Sequence, residues 1–278
     1  MKASFGPRER KRARLRRAAA SLVSIGSPGA GAPAIRILTY HRVNDLHPED
    51  RLTVTTPAFT DQMEYLARTE RVVSLGEAFA SVQDARRPPG NAVALTFDDG
   101  YLDNFECALP ILERFRLKAA FFVVTGLVGT TTVIERYRGC CESDACMDWG
   151  HVQKLLARGH EVGGHGRTHR ELAPLDDSEL EIEIDGCAHD LRRETGRSPN
   201  FFCYPRGSEN VEVRRRVASS GFAAALTVYP GPNFAGCDPY ALRRTEISGE
   251  DEMEDFRMKL QGRYDNLHRL IQGISRWA

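Results

Sequence analysis

Ala92-Val93-Ala94-Leu95-Thr96-Phe97-Asp98-Asp99-Gly100 is the stretch on which the fold turns. Its first six residues form an almost unbroken apolar run, the pattern of a strand buried on both faces in a parallel sheet. The run stops abruptly at two carboxylates and a glycine. Outward from it, similar short runs recur at Ile35–Tyr40, which ends in His41, at Ala119–Val124, at Glu161–Gly163 leading into His165, and at Phe201–Tyr204 ending at Pro205. Phe222–Val228 and Leu242–Ile247 read as further strands. Helical patterns lie between them over residues 57–68, 76–85, 104–115, 148–158, 176–195 and 210–219, with further helix toward Trp277. Residues 127–147 break the pattern and read as an inserted loop. In the longest helix Leu180, Ile184, Cys187 and Leu191 make the buried stripe. Strands alternating with helices imply an α/β fold with a mostly parallel sheet, open or closed as a barrel. Functional groups in such folds gather at the carboxyl ends of strands. Those ends carry His41, Asp98-Asp99, His165 and Pro205-Arg206.

Two adjacent carboxylates beyond a buried strand repel each other and lose solvation, which is costly unless a cation or hydrogen bonds offset it. Neighbours on an extended chain point in different directions, so one can hold a metal while the other faces substrate. The plain alternative is a helix-capping pair in a surface loop. His165-Gly166-Arg167-Thr168-His169 has a His-x3-His spacing, which on a helical turn brings both imidazoles to one ion. Alone it is a weak signal that two unrelated surface histidines also produce. With a strand-end Asp-Asp in the same chain it suggests two His and one Asp as a three-ligand site with an open position for water.

Composition is consistent with such a fold. The chain has 278 residues, 41% hydrophobic and 27% charged, enough for one large domain with a core that needs no staples. The seven cysteines are odd in number and irregularly spaced, which fits a reducing, cytoplasmic setting. Formal net charge is zero, yet Lys2, Arg8, Arg10, Lys11, Arg12, Arg14, Arg16 and Arg17 crowd the start against Glu9 alone. Residues 1–32 therefore read as a basic, disordered tail and linker, and 33–278 as the folded domain. The tail offers a weak contact to the anionic inner face of a membrane; no nucleic-acid partner is expected. The apolar stretch Ala18–Ile25 is too short to span a bilayer.

Thr96-Phe97-Asp98-Asp99-Gly100, then Glu161-Val162-Gly163-Gly164-His165-Gly166-Arg167-Thr168-His169, then Tyr204-Pro205-Arg206-Gly207 resemble, in order, the first three motifs of the polysaccharide deacetylases, carbohydrate esterase family 4 or the NodB-homology domain. The similarity spans roughly residues 33–262. It implies a distorted (β/α) barrel and the removal of N-acetyl groups from an amino sugar in a polysaccharide, an oligosaccharide or a lipid-linked sugar. Asp98 would be the general base. Asp99, His165 and His169 would bind a divalent metal, Zn²⁺ with Co²⁺ or Ni²⁺ as substitutes. Tyr204, Pro205 and Arg206 would face substrate, the Arg206 backbone N–H serving the oxyanion. Water activated at the metal and by Asp98 would attack the acyl carbonyl, and a general acid would protonate the leaving amine.

Two departures stand out. Many members have Arg-x-Pro-Tyr in the third motif, the Arg orienting the base; here Cys203 takes the Arg position and Arg206 the Tyr position. Arg206 is a candidate to reach the base from the other side of the proline, and Arg243-Arg244 a weaker one. Many members also end in a Leu-x-His whose His is the general acid, and His268 has the wrong context. Leu38-Thr39-Tyr40-His41-Arg42-Val43 resembles the opening segment of the poly-N-acetylglucosamine deacetylases, so His41 is the expected acid. Cys140, Cys141, Cys146 and His151 make a poor second zinc set, because adjacent cysteines do not match a Cys-x2-Cys knuckle. Trp149 and Tyr204 are candidates to stack on a sugar, although aromatic residues are more often core. Competing readings are the same metal site acting on a formamide, cyclic imide or ureide, and a non-catalytic carbohydrate-binding protein.

Overall fold

The computed structural model describes residues 15–20, 34–84, 90–131 and 145–265. Seven strands form one all-parallel sheet: β1 (Ile35–Tyr40), β4 (Ala92–Phe97), β5 (Ala119–Val123), β6 (Glu161–Gly164), β7 (Phe201–Cys203), β8 (Ala224–Leu226) and β9 (Thr245–Glu246). Their spatial order is β8-β7-β6-β5-β4-β1-β9. The segment leading into β9 then closes the circle: Leu242 bridges Leu226 while Thr245 pairs with Leu38, so one stretch touches both edges. This is the distorted (β/α) barrel. A separate two-stranded pair, β2 (Arg42–Val43) with β3 (Thr53–Val54), sits after β1.

Strand periodicity sorts the side chains. Ile35, Ile37, Ala92, Ala94, Ala120, Phe122, Phe201, Cys203, Ala224, Leu226 and Leu242 come from strands all round the barrel and pack into one buried cluster, its interior. Residues of opposite parity, such as Leu38, Leu95, Phe97, Phe121 and Phe202, face the helices. Side chains alternate between faces. The interior row of β1 therefore continues through Thr39 to His41, that of β4 through Thr96 to Asp98, and that of β6 to His165. The fold thus aims these residues into the mouth of the barrel.

The helices follow the sequence expectations with local differences. The helix Thr56–Thr69 has Thr55 at its N-cap position, and the cap bonds come from Asp45, which accepts from the Thr56 N–H at 2.9 Å. Ser74 and Glu77 make a capping box on the helix Leu75–Gln83, and Glu161 at the start of β6 accepts from the N–H groups of Leu75 and Gly76. The expected helix at 104–115 opens as a π turn, Asn104–Ala108, before its α portion Leu109–Arg114. The expected helix at 176–195 is likewise interrupted by a π turn at Glu181–Asp185, flanked by Asp177–Leu180 and Gly186–Thr195, with its four stripe residues buried. The candidate zinc residues Cys140 and Cys141 lie outside the described residues; His151 is occupied at the capping box of the helix Trp149–Ala157, where it pairs with Asp148.

Within the stretch read as a disordered tail, residues 15–20 are helical. Ala20 is buried against Met258 and Tyr264, and Arg17 forks onto Asp255, at 2.9 Å from Nε to Oδ1. Arg16 reaches Glu250. These two arginines are spent on the acidic start of the helix Met253–Leu260. No helix among the described residues is long and apolar enough to cross a membrane.

The two glycines of β6 make room for its aromatic neighbours. A Cβ on Gly163 would lie 2.6 Å from the Phe122 ring and 2.6 Å from the Phe201 carbonyl oxygen. The second obstacle is backbone and cannot rotate away. Gly163→Ala is expected to destabilise the fold by about 2–3 kcal/mol, as overpacking does, read as a lower urea midpoint at unchanged slope. An unaltered midpoint would show that β6 can shift away from its neighbours.

Candidate active site

Asp98 and Asp99 follow β4 and are both buried. The chain turns sharply here: Asp99 has φ 73° and Gly100 has φ 75°. This left-handed turn separates the two carboxylates, a conformation Asp tolerates better than most residues.

Asp98 is locked by Arg244. The guanidinium donates from Nη1 to Oδ1 at 2.7 Å and from Nη2 to Oδ2 at 2.8 Å, a bidentate pair buried on both sides. Burial alone would push the Asp98 carboxyl up, but the Arg244 charge and hydrogen bonds, with the His165 and His41 charges, outweigh it and hold the group down to about 2. Cys203 fills the remaining space, its Sγ 3.5 Å from Asp98 Oδ2 and 3.0 Å from Arg244 Nη2. Arg206, the first candidate for this role, goes elsewhere: its guanidinium leans outward onto Glu171 at 3.3 Å. The reason is geometric. Arg206 lies past the end of β7 in a left-handed turn (φ 54°), which sends its side chain along the rim and not inward.

Asp99 faces the histidines. Its Oδ1 is 3.4 Å from His165 Nε2 and 3.3 Å from His169 Nε2. Burial again opposes ionisation, and the two imidazoles overrule it, holding Asp99 well below the usual carboxylate range. His165 Nδ1 lies 2.8 Å from the Cys203 carbonyl oxygen. That carbonyl can only accept, so Nδ1 carries a proton; in the neutral ring the Nε2 lone pair is then free for an ion in place of the Asp99 contact. Asp99, His165 and His169 form a compact set of one carboxylate and two imidazole donors, with ligand atoms within 4.8 Å of one another. This donor chemistry fits Zn²⁺, Co²⁺ or Ni²⁺. Among the described residues a second grouping, Asp98, His165 and Cys203, is equally tight, but Arg244 already occupies both Asp98 oxygens and the thiol.

The two histidines are not on a helical turn. Residues 165–170 form a loop, with Gly166 at φ 72° and His169 at φ 63°. Glu183, from the π turn of the long helix, takes the loop's donors: its Oε2 accepts from the N–H of Arg167 at 3.0 Å and of Thr168 at 2.9 Å, and the Thr168 hydroxyl bonds Oε1. Asp99, His169 and Arg206 are three of the four non-glycine residues at positive φ among those described. Their clustering at one site is stored backbone strain that the surrounding bonds must hold.

These groups line a cavity of about 70 Å³ together with His41, Thr39, Tyr204, Val228 and Glu246. His41 follows β1 and is buried apart from its edge on the cavity; its Nδ1 is sealed off with no partner among the described residues. The Tyr204 ring is not free to stack on a ligand, since it is fully buried and its hydroxyl donates to the Tyr240 carbonyl at 3.1 Å. Trp149 packs against the helix-side core. Thr39, Val228 and Glu246 carry no signal in the sequence, because nothing but strand closure brings β8, β9 and β1 together at the mouth.

The sequence model of the polysaccharide deacetylase family matches residues 85–225. YxkH of Bacillus subtilis (strain 168) is 23% identical over 213 residues, covering 76% of this chain and 71% of that protein. A chitooligosaccharide deacetylase of Bradyrhizobium sp. (strain ANU 289) is 27% identical over 137 residues, 48% of this chain; the match spans 54% of that protein. The Streptococcus pyogenes deacetylase PplD, solved in complex with acetate, shares the fold at a TM-score of 0.71 with 21% identity, over 82% of this chain and 99% of the other. With a matching family model over half its length and a barrel of the same kind, the chain belongs to the polysaccharide deacetylase family.

Proposed function

We propose that this polysaccharide deacetylase is a metal-dependent hydrolase that removes N-acetyl groups from an amino sugar. The observation that carries the reading is the division of labour between adjacent carboxylates: Asp98 closed off by Arg244, and Asp99 left to His165 and His169 in the same cavity. Asp99, His165 and His169 would hold the ion. When bound, a divalent cation supplies Lewis acidity, lowering the pKa of water and polarising the acyl carbonyl.

The chain's own residues supply the rest. Arg244 keeps Asp98 ionised and fixes its orientation, so it is always ready to accept a proton. His41, across the same cavity, is the group to protonate the leaving amine. Arg206, in its left-handed turn, lines the cavity, and its backbone N–H is the group assigned to the developing oxyanion. The cavity takes the acyl end; the sugar lies on the rim beside Val228, Glu246 and the Arg206 side chain. The amino-sugar assignment draws on the chitooligosaccharide deacetylase relative.

The direct test is acetate release from N-acetylglucosamine oligomers by protein loaded with Zn²⁺ or Co²⁺. Wild type should release acetate. Asp98→Asn should lower kcat by on the order of 10²–10⁴, and His165→Ala should abolish stoichiometric metal binding. Metal bound without acetate release would move the substrate to another amide; neither metal nor release would remove the enzymatic reading.

Arg244 gives a second prediction with a defined sign. The Asp98 carboxyl drops from its ordinary 3.8 to about 2 on folding. The stabilisation this represents is fully present above the unfolded value and is lost as pH falls through the folded one. Arg244→Met leaves the carboxyl buried and unpaired, so burial pushes it up. The variant's stability deficit should be largest at neutral pH and shrink on acidification, in urea titrations of metal-free protein between pH 3 and 7. A deficit independent of pH would show that Asp98 does not feel this charge.

A further inference from the structure

His41 and Asn104 each bury a polar atom that the described residues leave unmatched: the Nδ1 of one and the Oδ1 of the other. The two residues already touch. Asn104 Nδ2 donates to the His41 carbonyl oxygen at 2.9 Å and to Asp103 Oδ1 at 2.7 Å. Both partners are acceptors, so the amide cannot be turned the other way without facing oxygen to oxygen. Its Oδ1 is therefore an acceptor in need of a donor. The His41 ring offers one, because Nδ1 can carry a proton while Nε2 is the nitrogen left for the cavity. Asn104 is fully buried and opens the π turn Asn104–Ala108. Asp103 braces the same segment from the other side, accepting from Arg42 Nε at 3.0 Å and Asn44 Nδ2 at 2.6 Å.

We propose that Asn104 is the positioning residue of His41. Its Nδ2 fixes the main chain and its Oδ1 accepts the Nδ1 proton through one bridging water, so that Nε2 points at the leaving nitrogen. This rests on the reading of His41 as the general acid. In that step the imidazolium gives its Nε2 proton to the amine nitrogen as the C–N bond breaks. The bonding electron pair stays on nitrogen, and neutral His41 retains the Nδ1 proton against Asn104. Without Asn104 the neutral ring can adopt the other tautomer and rotate.

The experiment compares two leaving groups in the metal-loaded protein: an N-acetylglucosamine oligomer, whose amine must be protonated, and 4-nitrophenyl acetate, whose phenolate leaves without a proton. Asn104→Ala should lower the ratio of amide to ester kcat by about tenfold or more, with KM for the oligomer little changed. A ratio equal to that of wild type overturns the proposal, because a merely structural loss lowers both turnovers together. His41→Ala in parallel separates the two ideas. If it lowers the ratio and Asn104→Ala does not, only the role of Asn104 falls. If it leaves the ratio unaltered, the general-acid reading falls first. Nitrogen-15 NMR of the wild-type imidazole, assigned with His41→Gln, checks the geometry without relying on an Asn104 variant. Neutral His41 should be protonated at Nδ1, and protonation at Nε2 would overturn the proposal.

Discussion

The Arg244 guanidinium binds groups from all round the barrel, and the site is arranged about it. Nε donates to the Thr227 carbonyl at 2.9 Å, Nη1 to Thr39 Oγ1 at 2.9 Å and to Asp98, and Nη2 to Asp98 and Cys203. Thr39 belongs to β1, Asp98 follows β4, Cys203 ends β7 and Thr227 follows β8, while Arg244 itself leads into β9. One rigid, planar fork thus ties both edges of the sheet together at the point where the barrel closes. A lysine has neither the number nor the planarity of donors to do so. Taking a charge pair this far from water costs several kcal/mol per ion; the pair is stable because nearly every donor direction is used. Closing the barrel and holding Asp98 ionised in its interior rest on the same guanidinium.

The rest of the site is held by a repeated device. Two helices open into π turns, and each turn delivers a buried polar side chain to a loop at the barrel mouth: Asn104 to the His41 segment, Glu183 to the loop between His165 and His169. A π turn adds a residue to the helix and rotates the turns beyond it, so a side chain that α periodicity would place elsewhere can be aimed at the site. These braces also bear on strain. Asp99, His169 and Arg206 sit in left-handed conformations, which persist only where neighbouring contacts over-determine them. The polar braces are therefore part of what keeps the donor atoms preorganised.

How much of this is legible in the sequence depends on the reach of the physics involved. β4 begins and ends where the apolar run does, because a doubly buried strand admits no polar residue until its end. His41, Asp98, Asp99 and His165 converge because strand-end placement in a parallel barrel is a topological rule that needs no coordinates. The helical turn expected between His165 and His169 is absent because spacing says nothing of φ, and Gly166 and His169 take positive values. The π turns leave no trace in hydrophobic periodicity, since the stripe Leu180, Ile184, Cys187 and Leu191 reads the same either way. The docking of residues 15–20 is hidden because it needs one small side chain, Ala20, and partners more than two hundred residues away. Arg206 looks a better partner for Asp98 than Arg244 in the linear sequence, because proximity to the third motif carries no information about which way a side chain leaves its strand.

The exchange of Arg206 for Arg244 also explains the departure in the third motif. Cys203 has the interior parity of β7, and its sulfur lies 3.5 Å from Asp98 and 3.0 Å from Arg244. An arginine at position 203, where the family's third motif often has one, would aim its guanidinium at the volume that Arg244 fills from β9. Two guanidiniums cannot share one buried carboxylate without leaving a positive charge uncompensated in a low-dielectric interior. The cation can come from β7 or from β9, but not from both. A small, weakly polar thiol at 203 is what the second arrangement requires: it accepts from Arg244 and takes up no room. The cysteine in the motif and the arginine some forty residues later are then complementary parts of one arrangement. The guanidinium missing from the motif in the linear sequence reaches Asp98 from Arg244 in the folded chain.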